Sequence, residues 1–234
     1  GGSPLSFRTN GCAAISGTNI NGVLACIRDG APSTRPAELV TACTAIEEAN
    51  TDPGRNQIAF DIAGPGPYTI QPAAALPQIT APVTIDGTTQ AGASCAAWPP
   101  TLQIALDGSA TDGSVYGLDF AADDNRVRGL AVGNFFGGLY FALSDGNTIE
   151  CNLIGTDVTG TAVAPNGTGI FINTSDNNTI GDFGDSRRNL ISGNDIQISL
   201  FNSNSTQTLD NNSITNNFIG TDITGLTALG GGAN

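Results

Sequence analysis

Asn152-Leu-Ile-Gly-Thr-Asp157-Val-Thr-Gly-Thr-Ala-Val-Ala164 returns later in the chain as Asn217-Phe-Ile-Gly-Thr-Asp222-Ile-Thr-Gly-Leu-Thr-Ala-Leu229. A phrase that recurs among short β-branched runs and turn residues marks stacked repeats, each burying its apolar face against the next. Outward from it, Asn125-Arg-Val-Arg-Gly-Leu-Ala-Val132 aligns with Asn147-Thr-Ile-Glu-Cys-Asn-Leu-Ile154 and Asn212-Ser-Ile-Thr-Asn-Asn-Phe-Ile219. Asn178-Thr-Ile180 opens a further copy, whose second strand, Asn189-Leu-Ile191, is delayed by the loop Gly181 to Arg188. Third strands follow at Gly138–Phe141, Gly169–Ile172 and Ile196–Leu200. Three short strands per copy predict an all-β, three-faced parallel coil in which like residues stack and the Asn columns bond along the axis.

Ahead of the repeats the pattern changes. Pro36 opens a helical stretch with Leu39, Val40, Cys43 and Ile46 on one stripe, closed by Asn50 and the turn Asp52-Pro53-Gly54. Such a helix covers the apolar end of a coil. Earlier still, Pro4-Leu5-Ser6-Phe7-Arg8-Thr9 alternates as a half-buried strand does. The expected organisation is an N-terminal extension over 1–34, a capping helix and turn over 35–54, and the coil over 55–234.

Composition narrows the chemistry. The eight basic residues are all Arg, and the chain has no His, Lys or Met, so the commonest general base, metal ligand and Schiff-base amine are missing. A net charge of −13 repels phosphate backbones and anionic lipid, which excludes nucleic acid as a default partner. No apolar run approaches the ~20 residues of a membrane helix. The five cysteines, Cys12, Cys26, Cys43, Cys95 and Cys151, form no C-x-x-C pair, and they read as disulfide candidates in an oxidising compartment with one left over. A chain that begins at Gly1 and holds no Met reads as a mature, exported one.

The phrase Ile-Gly-Thr-Asp-x-Thr-Gly, together with Asn177-Asn-Thr-Ile-Gly181, Asn189-Leu-Ile-Ser-Gly-Asn194 and Leu76-Pro-x-Ile-Thr80-x-Pro-Val-Thr-Ile-Asp-Gly87-Thr-Thr-Gln90, resembles the right-handed parallel β-helix repeat proteins of bacterial cell surfaces. The resemblance runs from about residue 39 to the end. It implies a right-handed parallel β-helix and an exported, extracellular or cell-surface address, and it implies no particular reaction, because the same fold carries enzymes, tailspikes and adhesins.

Each candidate site has two readings. Asp157 and Asp222, in the recurring turns Gly155-Thr156-Asp157 and Gly220-Thr221-Asp222, offer a carboxylate pair, but Asp at such a corner ordinarily bonds its own loop. Asp123-Asp124 with Arg126 and Arg128, and Asp182 and Asp185 with Arg187 and Arg188, sketch a calcium-dependent polysaccharide lyase, in which an Arg abstracts the proton. Phe135, Phe136 and Tyr140 offer rings for stacking glycans. The sequons at Asn166, Asn173, Asn177, Asn204 and Asn211 are glycosylation candidates.

The last copy has its first strand at Ser213-Ile214 and its second at Phe218-Ile219, and no third. An uncapped coil end is an edge that invites another strand. Leu5 and Phe7 on one side and Phe218 and Ile219 on the other are therefore the assembly candidates. The expectation is a non-enzymatic structural protein, a filament or surface-layer subunit that stacks head to tail and donates its N-terminal strand. It takes no cofactor, its main partner is itself, and glycans are the further ligand class.

Overall fold

The computed structural model describes residues 25–28, 42–52, 54–204 and 206–230. The expected strand around Leu5 and Phe7, the cysteine Cys12 and the start of the helix near Pro36 lie outside these residues, as do the side chains of Cys26 and Cys43.

A short strand, β1 (Ala25–Arg28), precedes the helix α1 (Ala42–Thr51). Six layers follow in chain order. The first holds β2 (Asn56–Phe60) and β3 (Tyr68–Ile70), and the second holds β4 (Val83–Asp86), β5 (Ile104–Asp107) and β6 (Tyr116–Phe120). The third consists of β7 (Arg126–Arg128), β8 (Leu130–Gly133) and β9 (Gly137–Ala142); the fourth of β10 (Thr148–Glu150), β11 (Leu153–Ile154) and β12 (Thr168–Asn173). The fifth consists of β13 (Thr179–Ile180), β14 (Leu190–Ile191) and β15 (Ile196–Phe201), and the sixth holds β16 (Ser213–Ile214) and β17 (Phe218–Ile219).

Successive strands fall in successive sheets. The first sheet runs β1-β2-β4-β7-β10-β13-β16, the second β3-β5-β8-β11-β14-β17, and the third β6-β9-β12-β15. All pairs are parallel except β1 on β2. Ile79 extends the third sheet into the first layer through a parallel bridge to Phe120. The predicted alignment of copies is the observed register: Val127 lies opposite Ile149, Ile154 opposite Ile191, and Phe141 opposite Ile172.

In the first sheet the strands alternate inward apolar with outward polar side chains, and the inward side chains of all three sheets form a single core through the stack. At the corners the backbone amides need partners, and asparagines supply them. Asn125 donates both its backbone N–H and its Nδ2 to Asn147 Oδ1 at 2.9 Å, Asn147 repeats this on Asn178, and Asn178 on Asn212. A second column runs Asn152, Asn189, Asn217, and a third Asn166, Asn194. Buried amides satisfied this way fix the register of every layer.

At the first layer α1 lays Ala45, Ile46 and Ala49, all buried, over the core. Asn56 Nδ2 donates to the carbonyls of Ala49 (2.9 Å) and Asp52 (3.1 Å), satisfying acceptors that the helix end leaves open. The structure thus bears out a β-rich, parallel-stranded fold with an N-terminal helix. No helix among the described residues is long and apolar enough to cross a membrane.

The second sheet is buried on its outer face as well. Residues 91–102 cross it, and Cys95, Trp98 and Leu102 pack on Ala105, Ala131, Leu153, Leu190 and Phe218. A disulfide joins Cys95 to Cys151, and Trp98 Nε1 donates to Ile223 O at 2.7 Å, which ties this strap to the sixth layer.

Candidate functional site

The recurring turns come first. Asp157 accepts from Thr159 Oγ1 (2.7 Å) and from the backbone N–H groups of Thr161 and Ala162 (3.1 Å each). Asp222 accepts from Thr224 Oγ1 (2.7 Å) and from the N–H groups of Thr224, Leu226 and Thr227. Burial raises the Asp157 pKa, but the bonds from Thr159, Ala162 and Thr161 outweigh it and leave the carboxyl below its ordinary value. At Asp222 the Thr224 hydroxyl is the main cause of a shift in the same direction. Carboxylates saturated by their own loops and held ionised are poor general acids. Gly155 sits at φ +92°, and a Cβ there would lie 2.2 Å from Ser192 O, whereas Gly220, its counterpart in the second copy, keeps the positive φ (+73°) with no atom within 4 Å of that place.

The arginines meet a residue that the sequence pattern did not single out. Arg128 lies opposite Glu150 on one side and Asp86 on the other, so the outward column reads Asp86, Arg128, Glu150. Arg126 Nε reaches Glu150 Oε1 at 3.1 Å, and Arg187, from the loop between β13 and β14, reaches Glu150 Oε2 at 3.8 Å and pairs with Asp182. Glu150 is buried beneath these groups. Three guanidiniums face three carboxylates, so the cluster is neutral, and it pins the 181–188 loop across the first sheet. An arginine base for a lyase needs a guanidinium open to its substrate, and these three are engaged by carboxylates of the protein itself. Arg188 is used separately: it bonds Asn216 Oδ1 at 2.9 Å, pairs with Asp185, and stands 4.6 Å from the Phe218 ring and 5.5 Å from Trp98.

Asp123 belongs to a different feature. Its Oδ1 accepts the backbone N–H of Asp145, Asp145 Oδ1 accepts from Asp176, and Asp176 Oδ1 accepts from Asp210, all within 2.8 Å. These carboxylates bond the corner of the stack. Among the described residues no group of three or more Asp, Glu, Cys or His side chains is arranged to hold a metal ion.

The aromatic candidates separate. Phe135 is core. Tyr140 stacks on Tyr116 at 4.2 Å between ring centroids and tilts against Phe171 at 5.2 Å, so these rings use their faces on one another. Phe136 is 53% exposed, with Tyr116 edge-on to it. The sequons separate as well. Asn166 is 1% exposed, and its Nδ2 donates to Asn194 Oδ1 and Val132 O, so it has no room for a glycan in the folded chain, and the expectation for this site is corrected. Asn173 is half-buried and donates to the Tyr140 hydroxyl, while Asn177, Asn204 and Asn211 are exposed.

An apolar cavity of about 40 Å³ lies beneath α1 among Ile46, Ile58, Phe60, Ile70 and Leu118. It is too small for an organic ligand and offers a water no partner.

The remaining candidate is the sixth layer. Ile180 and Ile191 are 0% exposed, but Ile214 and Ile219, directly opposite them one layer on, are 39% and 43% exposed. In the third sheet Ile172 is 0% and its partner Leu200 40% exposed. Of the two assembly candidates here, Ile219 belongs to this apolar end, whereas Phe218 points outward and packs edge-on against Trp98 at 5.3 Å. No protein-family model matches the chain, and neither a curated protein nor a solved structure matches it at a significant level.

Proposed function

We propose that the chain is a right-handed parallel β-helix and serves as a non-enzymatic structural subunit of an extracellular or cell-surface assembly, adding copy to copy end to end. The observation that carries this reading is the last described end of the stack, where side chains at core positions, Leu200 of the fifth layer and Ile214 and Ile219 of the sixth, are 39–43% exposed. Each apolar Å² left there forfeits about 25 cal/mol, which the capped end of a second copy recovers by covering it. The two ends are unlike, so the contact is head to tail, and a head-to-tail contact that does not close builds a filament. The N-terminal strand around Leu5 and Phe7 is the segment proposed to reach from one copy to its neighbour. The Cys95–Cys151 disulfide suits the oxidising exterior. The self-saturated turn carboxylates and the neutral arginine cluster support a structural reading over an enzymatic one.

The test is electron microscopy of the purified chain beside a variant carrying Ile214→Asp and Ile219→Asp. The wild type forms filaments with an axial repeat near ~35–45 Å, six layers at ~4.8 Å plus the cap, and the variant, equally folded by circular dichroism, stays monomeric. Wild-type particles that remain single at every concentration overturn the reading.

A glycan-binding surface adhesin is the second reading, and the exposed Phe136 ring favours it. Binding on a glycan array that Phe136→Ala abolishes would support it. A calcium-dependent lyase finds no comparable support, since the arginines it needs are paired.

A further inference from the structure

The three edges of the sixth-layer end are not equivalent. In the third sheet Gly117, Gly138 and Gly169 occupy one position in three successive strands, each just ahead of an inward Leu or Ile. A Cβ on Gly117 would lie 2.6 Å from Gly138 O, one on Gly138 would lie 2.7 Å from Gly169 O, and one on Gly169 would lie 2.6 Å from Gln197 O. At this position, then, each strand needs glycine because the carbonyl of the next strand occupies the place of a side chain. β15 breaks the series: its residue there is Gln197, and among the described residues no strand lies beyond it.

The Gln197 side chain also closes the asparagine column at this corner. Elsewhere an Asn Nδ2 donates to the Oδ1 of the Asn one layer on. Asn194, which also donates back to Ile154 O, donates to Gln197 Oε1 at 3.0 Å in place of a further Asn, and Gln197 Nε2 returns a bond to Asn194 O at 2.8 Å. The other two columns are left open. Asn212 and Asn217 accept from the layer below and donate back into it, to Ser175 O and Ile180 O, with no described residue above them.

We infer that Gln197 terminates the third sheet: its Cβ bars an in-register strand from β15, its amide stands in for the missing asparagine, and a second copy of the chain joins the stack only along β16 and β17. This takes its partner from the end-to-end reading above. It removes β15 as the acceptor of the Leu5/Phe7 strand, although Leu5-Ser6-Phe7 repeats the Leu-x-Phe of Leu118–Phe120 and Leu139–Phe141.

The experiment is a site-specific disulfide trap that needs no polymerisation. A synthetic peptide of residues 3–9 carrying Ser6→Cys as an activated mixed disulfide is incubated with chains carrying Ser199→Cys, the outward position at the middle of β15. Capture at residue 199 is measured by mass spectrometry of the cleaved fragment, against a scrambled peptide. With Gln197 present, capture equals that of the scrambled peptide. In Gln197→Gly it rises at least about tenfold, and in Gln197→Ala, which loses the same amide but keeps the Cβ, it does not. Equal capture with Gln197 and with Gly overturns the inference, as do absence of capture in the Gly variant and equal capture in the Ala and Gly variants. Failure of the end-to-end reading shows separately, as single particles of the unmodified chain in the microscope.

Discussion

At the β2 end of the stack Ile58, Phe60 and Ile70 are buried because α1 lies over them, whereas at the β16 end Ile214 and Ile219 occupy the same kind of inward position and lie open. The sequence changes hydrophobic pattern at the first end, from strand to helix, and gives the chain its own cover there. At the second end the strand pattern persists through the last described layer, and no described element covers it. The difference teaches that burial in a stacked fold comes from the neighbouring layer. An isoleucine identical in sequence context is core or surface according to what stands next to it.

The largest test of that contrast is a buried charge. Ile180→Asp places a carboxylate between two layers, costs more than about 4 kcal/mol and prevents folding, while Ile214→Asp changes urea stability by less than about 1 kcal/mol. Equal losses at the two positions would mean that the sixth layer is covered in solution.

Next in size is the strap that crosses the second sheet toward the open end. Cys95→Ala with Cys151→Ala removes a cross-link between residues 56 apart in sequence, which loop-closure entropy values at about 4 kcal/mol. The urea midpoint, followed through the fluorescence of Trp98, the only tryptophan, should fall accordingly. An unchanged midpoint would show that Leu102, Leu153 and Leu190 hold the strap without the disulfide.

The asparagine columns sharpen the comparison at smaller cost. Asn147→Ala removes the Oδ1 that accepts the buried N–H and one Nδ2 hydrogen of Asn125 and should cost about 2–3 kcal/mol, and Asn212→Ala removes the same acceptor from Asn178, but at the end of the column, where water can take its place, and should cost less. The same loss at both would contradict the open end of this column.

Acid pH gives the smallest effects, and they have opposite signs. Asp157 and Asp222 have folded pKa values below the ordinary 3.8, so their contribution is complete above that value and disappears as pH falls through the lower folded one. Burial raises Asp119, with a bond from Gln78 opposing, so its carboxylate is a small liability at neutral pH that protonation relieves. Asp157→Asn should therefore flatten the acid limb of the stability curve, and Asp119→Asn should raise stability at pH 7 by less than about 1 kcal/mol after solvent screening. A loss on Asp119→Asn would show that the carboxylate works through Gln78 after all.

Much of this architecture was legible because it is periodic. Aligning Val127, Ile149, Ile180 and Ile214 is enough to find the first sheet, and the recurring asparagines mark its corners. The third-strand alignment also holds the Gly, Gly, Gln substitution that ends with Gln197, but its meaning needs the carbonyl 2.6 Å from Gly169, a distance with no trace in one strand. Glu150 was invisible for a similar reason. It is an isolated acid in the sequence, and its partners Arg126, Arg128 and Arg187 reach it from other layers. Asn166 carried a sequon, and only its burial removes it.

By itself the sequence determined the short strands, their parallel stacking and the corner ladders, because spacing and side-chain type act locally and repeat. Tertiary structure alone decided that Cys95 pairs with Cys151, that Trp98 straps the second sheet, that Phe218 turns outward while Ile219 stays at the open end, and that Gln197 closes one edge of three. Each of these depends on which residues from distant parts of the chain share a layer, and on whether an atom from the next layer is there to cover them.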